Sequence, residues 1–131
     1  MIQIERKIFV TATLLGLVGI ILGAFAAHGL HSVLTDSALE SFQTGVRYQI
    51  YHAFFLFFIG LNSYLSFAQK KYILGLTLTG IILFSVSIYL LATNPITSID
   101  FSFLGPITPL GGLLLISAWG FLFYLLLRHK N

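Results

Sequence analysis

The stretch "IFVTATLLGLVGIILGAFAA", residues 8–27, runs for 20 residues without a charged side chain. A helix of about 20 residues crosses roughly 30 Å of hydrocarbon, because each residue adds about 1.5 Å. Comparable apolar stretches follow at residues 48–67, 72–92 and 110–127. Backbone groups in lipid must be satisfied within their own segment, and the alternating pattern of a β-barrel is absent. The sequence therefore predicts an all-α, integral membrane four-helix bundle.

The composition supports the same class. Of the 131 residues, 57% are hydrophobic and only 8% are charged, whereas soluble domains carry roughly one quarter charged residues. The net charge of +3 is spread over helix ends rather than along one face, so nucleic acid is not an expected partner. The absence of cysteine excludes disulfides and thiolate sites. We expect a single transmembrane domain, residues 1–131, whose partner is the lipid bilayer.

Basic residues predict the orientation of the chain. Six of the seven flank the ends of the spans on one side, and Arg47 alone lies on the other: the six are Arg6, Lys7, Lys70, Lys71, Arg128 and Lys130. By the positive-inside rule both termini face the cytoplasm, in a bacterial plasma (inner) membrane. The first span also resembles a signal peptide, but its apolar run exceeds the usual 7 to 15 residues, so we expect it to be retained.

The connections between spans differ in length. The segment "AQKK", residues 68–71, is expected to form a tight cytoplasmic turn, whereas residues 28–47 and 93–109 form long outer connections. In the first of these, "SALE", residues 37–40, matches a capping box and predicts an amphipathic helix, with a bend at Gly45. Thr108 and Pro109 suit the N-cap and the first position of the fourth helix.

Polar residues concentrate near the outer boundary. Thr44, Tyr48 and His52 recur every four residues and so share one helix face. We predict that the ends of several helices bring a polar pocket together there, in which His28 and His52 face each other. The predicted pocket contains His28, Thr44, Tyr48, Gln49, His52 and Thr108.

Two other interpretations of the histidines stay open. His52 can serve only as a structural hydrogen-bond partner for a tyrosine or glutamine, since buried polar groups need partners. His28, His31 and His52 also suggest a metal site, but no acidic or sulfur ligand stands at a recognised spacing from them. Whether a metal binds is unknown from the sequence.

Small residues predict close helix packing. Gly19, Gly23 and Ala27 recur every four residues, which lets another helix approach, within the bundle or in a dimer. Asn62 is expected to find an interhelical partner inside the membrane. The residues assigned structural roles are Gly19, Gly23, Gly45, Pro109, Gly111 and Gly112.

Three motifs carry a family resemblance: "GAFAAHGL" at 23–30, "TGVRYQIYHA" at 44–53, and "GPITPLGG" at 105–112 followed by Trp119. Together they resemble the domain of unknown function 423 family, the relatives of transmembrane protein 256. The resemblance implies a four-span integral membrane protein without an agreed biochemical activity. It marks Gly23, His28, Thr44, Gly45, Tyr48, Gln49, His52, Thr108, Pro109, Gly111 and Gly112. Ala26 departs from the pattern, which more often has glycine there.

No serine motif, catalytic carboxylate pair or phosphate loop is present, so we expect a protein that is not an enzyme and has no cofactor. The first hypothesis is a binding or accessory protein with an outer polar pocket. The second is a small oligomeric transporter or proton-coupled carrier, in which His52 replaces the acidic residue that the spans lack. An enzyme acting on lipid or quinone is the third. A homo-oligomer and a larger membrane complex are both compatible with the sequence.

Overall fold

The computed structural model describes residues 2–129 and contains four long helices. They are α1 (Gln3–His28), α2 (Asp36–Leu61), α3 (Phe67–Ala92) and α4 (Ile107–Arg128). The turn Ile82–Val86 within α3 is π-helical, and two 3₁₀ turns lie between α3 and α4. No strand occurs between residues 2 and 129. The all-α prediction is confirmed.

Three segments are long and apolar enough to cross a membrane: Gln3–His28, Phe67–Ala92 and Ser102–Arg128, which contains α4. α2 has the same length as α1 but carries Asp36, Glu40 and Arg47 in its first half. The predicted limits of the second span, residues 48–67, were wrong, because α2 ends at Leu61. One face of its apolar half nevertheless packs in the core of the bundle, while Phe54 and Leu61 on the opposite face are 70% and 75% exposed.

The amphipathic helix predicted in the first outer connection leads directly into the apolar segment that follows, and the two form one continuous helix, α2. Its N-cap is Thr35, whose Oγ1 accepts a hydrogen bond from the backbone N–H of Ala38 at 3.2 Å. The predicted cap at Ser37 was therefore two residues late, and Ser37 lies in the first turn of the helix. Gly45 is buried within the helix, and it serves packing instead of a break between two helices.

The connection from α2 to α3 consists of residues 62–66, and "AQKK" belongs to the first turns of α3. Asn62 Oδ1 accepts hydrogen bonds from the backbone N–H groups of Tyr64 and Leu65, at 2.8 and 3.1 Å. Ser66 and Gln69 then form a reciprocal capping box. The interhelical role predicted for Asn62 was wrong, because its carbonyl oxygen stabilises this turn.

α4 also begins earlier than predicted. Pro106 already has helical dihedrals, and the helix starts at Ile107. Thr108 is therefore not the N-cap, and its hydroxyl points back to the carbonyl of Leu104 at 3.4 Å. Pro109 occupies the third helical position, where a missing N–H costs nothing because the first turn has no intrahelical acceptor.

Glycines bring α1 and α2 together as antiparallel neighbours. A Cβ at Gly16 would meet Ala53 at 3.9 Å, and one at Gly19 would meet Ile50 at 2.9 Å. A Cβ at Gly23 would lie 3.4 Å from Val46. Gly16, Gly19 and Gly23 of α1 thus pack against α2 within the bundle.

A similar contact joins α3 to α4. A Cβ at Gly111 would lie 2.6 Å from the carbonyl carbon of Leu83, and one at Gly80 would lie 2.7 Å from Leu115. The close approach at Gly111 coincides with the π-helical turn of α3, so the backbone of that turn leaves no room for a side chain. Gly112, one position further on, has only ordinary contact with the Phe84 ring at 3.7 Å.

The bundle has two distinct ends. The N-terminal end carries the start of α1, the turn 62–66 and the end of α4, and the loop end carries residues 29–35 and 93–106. Exposed basic residues at the N-terminal end are Arg6, Lys7, Lys71 and Arg128. Lys130 lies outside the described residues. The predicted cytoplasmic placement of this end stays a prediction.

Candidate functional site in a lipid-facing groove

His52 is buried at the centre of the bundle, with 3% of its surface exposed. Its Nε2 accepts a hydrogen bond from the indole N–H of Trp119 at 3.1 Å, and Nδ1 lies 2.6 Å from the carbonyl oxygen of Tyr48. A nitrogen that accepts carries no proton, so the network assigns the hydrogen of the neutral ring to Nδ1. Both ring nitrogens are therefore occupied by partners within the protein.

His28 and His52 do not meet. Gly16 of α1 faces Ala53 of α2, so His52 lies at the level of position 17, eleven residues from His28. At about 1.5 Å per residue this separates their levels by roughly 16 Å. His28 is exposed at the end of α1. The predicted pairing was wrong because α2 is one long helix that carries His52 down to mid-height.

Gln49 is buried on the side of α2 that faces α1 and α3. Its Nε2 donates to the carbonyl oxygen of Leu15 at 2.9 Å, and its Oε1 accepts from the Tyr89 hydroxyl at 2.7 Å. Nearby, the Ser85 hydroxyl donates to the carbonyl oxygen of Gly45 at 2.8 Å. These bonds connect three helices, and they give Gln49 a structural position.

Thr44 and Thr108 lie apart from this network. The Thr44 hydroxyl donates to the carbonyl oxygen of Glu40 at 3.0 Å and accepts from Arg47 at 2.8 Å, at the surface. Thr108 lines a separate cleft of about 470 Å³ at the loop end, together with Thr35, Ser37 and Ser41. Of the six residues predicted to form one pocket, the structure brings only Tyr48 and His52 together.

Tyr48 and His52 line a groove of about 710 Å³ between α2, α3 and α4. The groove opens sideways, towards the surface that faces lipid in a membrane. Four of its nine lining residues are large aromatic residues, namely Tyr48, Phe84, Trp119 and Phe123. Gly120 leaves part of the groove without a side chain. No charged side chain lines it.

Trp119 presents a fixed aromatic face to this groove. Its N–H is held by His52, its ring packs on Phe55 at a centroid distance of 4.3 Å, and 50% of its surface is exposed. The motif that contains Trp119 does not by itself predict this role. The signal for its role was available, since a lone tryptophan inside an apolar helix needs an acceptor for its N–H.

A buried ion pair lies at the N-terminal end, away from the groove. Lys70 Nζ is 2.8 Å from Glu5 Oε1 and also donates to the carbonyl oxygen of Gly60 at 3.2 Å. The lysine side chain is 4% exposed and the glutamate side chain 24%. Lys70, expected in a loop, therefore connects α1, α2 and α3.

The histidines do not form a metal site together. Within residues 2–129 no group of three His, Cys, Asp or Glu side chains could hold a metal ion. His31 lies exposed in the connection between α1 and α2, His28 lies at the end of α1, and His52 is committed to Trp119.

Comparisons with known proteins identify the family of the chain. Residues 22–112 match the family model described as "Protein of unknown function (DUF423)". The "UPF0382 membrane protein YwdK" of Bacillus subtilis is 44% identical over 100 residues, which cover 75% of this chain and 77% of the relative. A "UPF0382 membrane protein" of Haemophilus influenzae is 33% identical over 127 residues, covering 97% of this chain and 98% of the relative.

The "UPF0382 membrane protein SH2409" of Staphylococcus haemolyticus is 39% identical over 97 residues, or 74% of this chain and 75% of the relative. No solved structure matches the chain. The three apolar helices and these bacterial relatives indicate an integral protein of the bacterial plasma membrane. The family model covers more than half of the chain, and the chain belongs to the DUF423 family of membrane proteins of unknown function.

Proposed function

We propose that this protein is a membrane-embedded binding protein, whose groove between α2, α3 and α4 holds a molecule dissolved in the lipid phase. The observation that carries the proposal is the rigid, half-exposed Trp119 beside Tyr48 in a groove of about 710 Å³. Sites for small molecules are mostly apolar clefts of about 300–1,000 Å³ with a few placed polar groups. The proposed site lies at mid-height of the bundle, whereas the sequence predicted a pocket at the outer boundary.

Tyr48, which lines the groove, carries a polar group that no described residue binds. The Tyr48 hydroxyl has no hydrogen-bond partner among residues 2–129, and Tyr48 is 41% exposed. An unpaired hydroxyl in an apolar environment costs free energy that a ligand acceptor would recover. Ordinary acyl chains offer no such acceptor, so the groove favours a ligand with a polar atom.

The interior of the bundle argues against the transport hypothesis. Between His52 and Lys70 lie fully buried apolar side chains, among them Leu56, Ile59 and Ile73. A solute or proton would have to cross this layer without a polar partner, at a cost of several kcal/mol. His52 also has no free nitrogen with which to carry a proton.

The absence of charged groups from the groove also favours binding over catalysis. General acid and base chemistry requires a titratable group within reach of the reacting atom. The only such side chains that line the groove are His52, whose nitrogens are both bonded, and the phenol of Tyr48. We therefore assign the groove a binding role without a catalytic step.

Glycine substitutions test the groove. A Cβ at Gly120 would meet no atom within 4 Å, and the same holds at Gly75, so both tolerate a larger residue without disturbing the fold. Gly120→Leu fills the groove. Gly75→Leu, on α3, fills a separate apolar groove of about 630 Å³ and is the matched control. The membrane-soluble molecules that co-purify with each form are identified by mass spectrometry from lipid nanodiscs.

We expect one class of apolar molecule to co-purify with the wild type and with Gly75→Leu, and to be lost from Gly120→Leu. Equal profiles for all three proteins would overturn the groove as a binding site. Solute uptake into vesicles that disappears in His52→Leu would instead support the transporter. Retention of a partner protein by the wild type but not by Gly120→Leu would support an accessory role.

A further inference from the structure

We infer that the ligand of the groove is a planar ring that carries carbonyl groups and an apolar tail, the chemistry of a membrane quinone. This inference rests on the proposed function and adds the chemical class of the ligand. It follows from the kind of walls that the groove has, from the one free donor in it, and from the depth at which it lies.

The walls favour a flat, electron-poor ring. Trp119 and Phe84 face the groove from α4 and α3, and the Tyr48 ring packs against Phe84 at a centroid distance of 5.1 Å. Aromatic faces carry partial negative charge, so they stack best on rings whose faces are electron-poor. The carbonyl groups of a quinone withdraw electrons from its ring, whereas an acyl chain or a sterol lacks such a face.

The polar atoms favour an acceptor in the ligand. Tyr48 offers a free hydroxyl, while the Nε2 of His52 already accepts from Trp119. The phenol of Tyr48 can therefore donate a hydrogen bond, whereas the imidazole acceptor is already in use. This combination suits a ligand that has a carbonyl oxygen. A charged headgroup finds no counter-charge among the lining residues, and its transfer to this depth would be costly.

The position and shape of the groove suit a molecule with a long tail. Gly16 and Gly19 of α1 place His52 and Tyr48 near mid-height of the bundle, so a ligand must arrive through the lipid. The groove is open on its lipid side, where an apolar tail can remain among acyl chains. His52 acts as a positioning residue that holds the indole plane of Trp119 in place.

Trp119 also makes the inference directly measurable, because it is the single tryptophan of the chain. A quinone accepts an electron from an excited indole and quenches its fluorescence at contact. The probe is a decyl-naphthoquinone, and the matched control ligand is a decyl-naphthalene without carbonyl groups. Both are titrated into protein held in nanodiscs of phosphatidylethanolamine and phosphatidylglycerol, and the quinone affinity is read from saturation of the quenching.

We expect saturable quenching by the naphthoquinone in the wild type. The decyl-naphthalene displaces the bound quinone only at higher concentration. Tyr48→Phe should weaken quinone binding about fivefold, the loss of one net hydrogen bond. Tyr51→Phe removes a hydroxyl from the same helix outside the groove, and should leave the affinity unchanged. Gly120→Leu should abolish saturation, whereas Gly75→Leu should retain it.

The outcomes separate the inference from the proposed function. Equal affinity for the two ligands, with no effect of Tyr48→Phe, would overturn the quinone assignment. If Gly120→Leu still abolished binding of both ligands, the groove would remain a binding site. Quenching that rises linearly without saturation in every form reports collisions in lipid and would also overturn the assignment. A different class of molecule lost from Gly120→Leu in the co-purification experiment would replace quinone as the ligand.

Discussion

Lys70 of α3 and Glu5 of α1 form an ion pair of 2.8 Å although 65 residues separate them in the chain. The lysine is almost fully buried, and it also donates to the carbonyl oxygen of Gly60 at the end of α2. One ammonium group thus holds three helices at the N-terminal end of the bundle. A buried charge is tolerated only with such partners, and removal of one partner is far more costly than loss of the pair.

The first prediction concerns this pair. Glu5→Gln leaves the buried Lys70 ammonium without its counter-charge, and we expect a lower free energy of unfolding than in the wild type. Glu40→Gln is the matched control, because Glu40 is exposed and forms no ion pair among the described residues. The midpoint of denaturation in detergent measures both. Adding Lys70→Met to Glu5→Gln should recover much of the lost stability. Equal midpoints for Glu5→Gln and Glu40→Gln would contradict a stabilising role of the ion pair.

The second prediction concerns His52 and Trp119. His52→Leu removes the acceptor of the indole N–H, so we expect a destabilisation of about 1–2 kcal/mol and a lower fluorescence anisotropy of Trp119. His28→Leu is the control, because His28 is exposed and forms no hydrogen bond to Trp119. Anisotropy that is unchanged in His52→Leu would show that packing on Phe55 alone holds the indole.

The third prediction uses two adjacent glycines of α4. Gly111→Ala would place a methyl group 2.6 Å from the carbonyl carbon of Leu83, and backbone cannot move aside as a side chain can. We expect a loss of about 1–3 kcal/mol from overpacking. Gly112→Ala meets the Phe84 ring at 3.7 Å, and alanine favours a helix interior by about 0.5–1 kcal/mol.

Thermal denaturation in detergent compares the two glycine variants. We expect the midpoint of Gly111→Ala to fall and that of Gly112→Ala to stay or rise. A fall of equal size in both would mean that α3 and α4 do not approach each other at Gly111.

The fourth prediction concerns pH and the loop between α3 and α4. Hydrogen bonds from the hydroxyl and the backbone N–H of Ser102, and from Asn94, hold the pKa of Asp100 below its usual value of 3.8. These bonds favour the charged carboxylate. The stabilisation is therefore fully present above the unfolded pKa and is lost as the pH falls through the lower folded value.

Proteolysis of the loop measures this dependence. We expect the wild-type loop to become more susceptible to an acid-active protease as the pH falls below 3.8, the usual pKa of Asp100. Asp100→Asn should remove that pH dependence and give an open loop throughout, while Ser102→Ala should weaken it. A wild type and an Asp100→Asn variant with the same pH profile would exclude Asp100 as the group responsible.

Some residues of the groove can be predicted from the sequence, and others cannot. The spacing of Tyr48 and His52 placed them on one face of α2, and they do line the same groove. The same spacing predicted that Thr44 would share this face. Thr44 does not line the groove, and its hydroxyl accepts a hydrogen bond from Arg47 at the surface. His28 does not reach the groove, because it lies at the end of α1 while the long helix α2 carries His52 to mid-height. The N-cap of α2 at Thr35 and its end at Leu61 decide that height.

The sequence by itself determined the class of this protein, its helical content and the approximate limits of three of its spans. Those properties are local, since an apolar stretch of sufficient length must satisfy its backbone within its own helix in lipid. Only the tertiary structure decided that Trp119 meets His52, that Tyr89 meets Gln49, and that Lys70 meets Glu5. These contacts depend on the relative height and rotation of helices that are distant in the chain. Close packing between helices, at positions such as Gly19 and Gly111, sets that height and rotation.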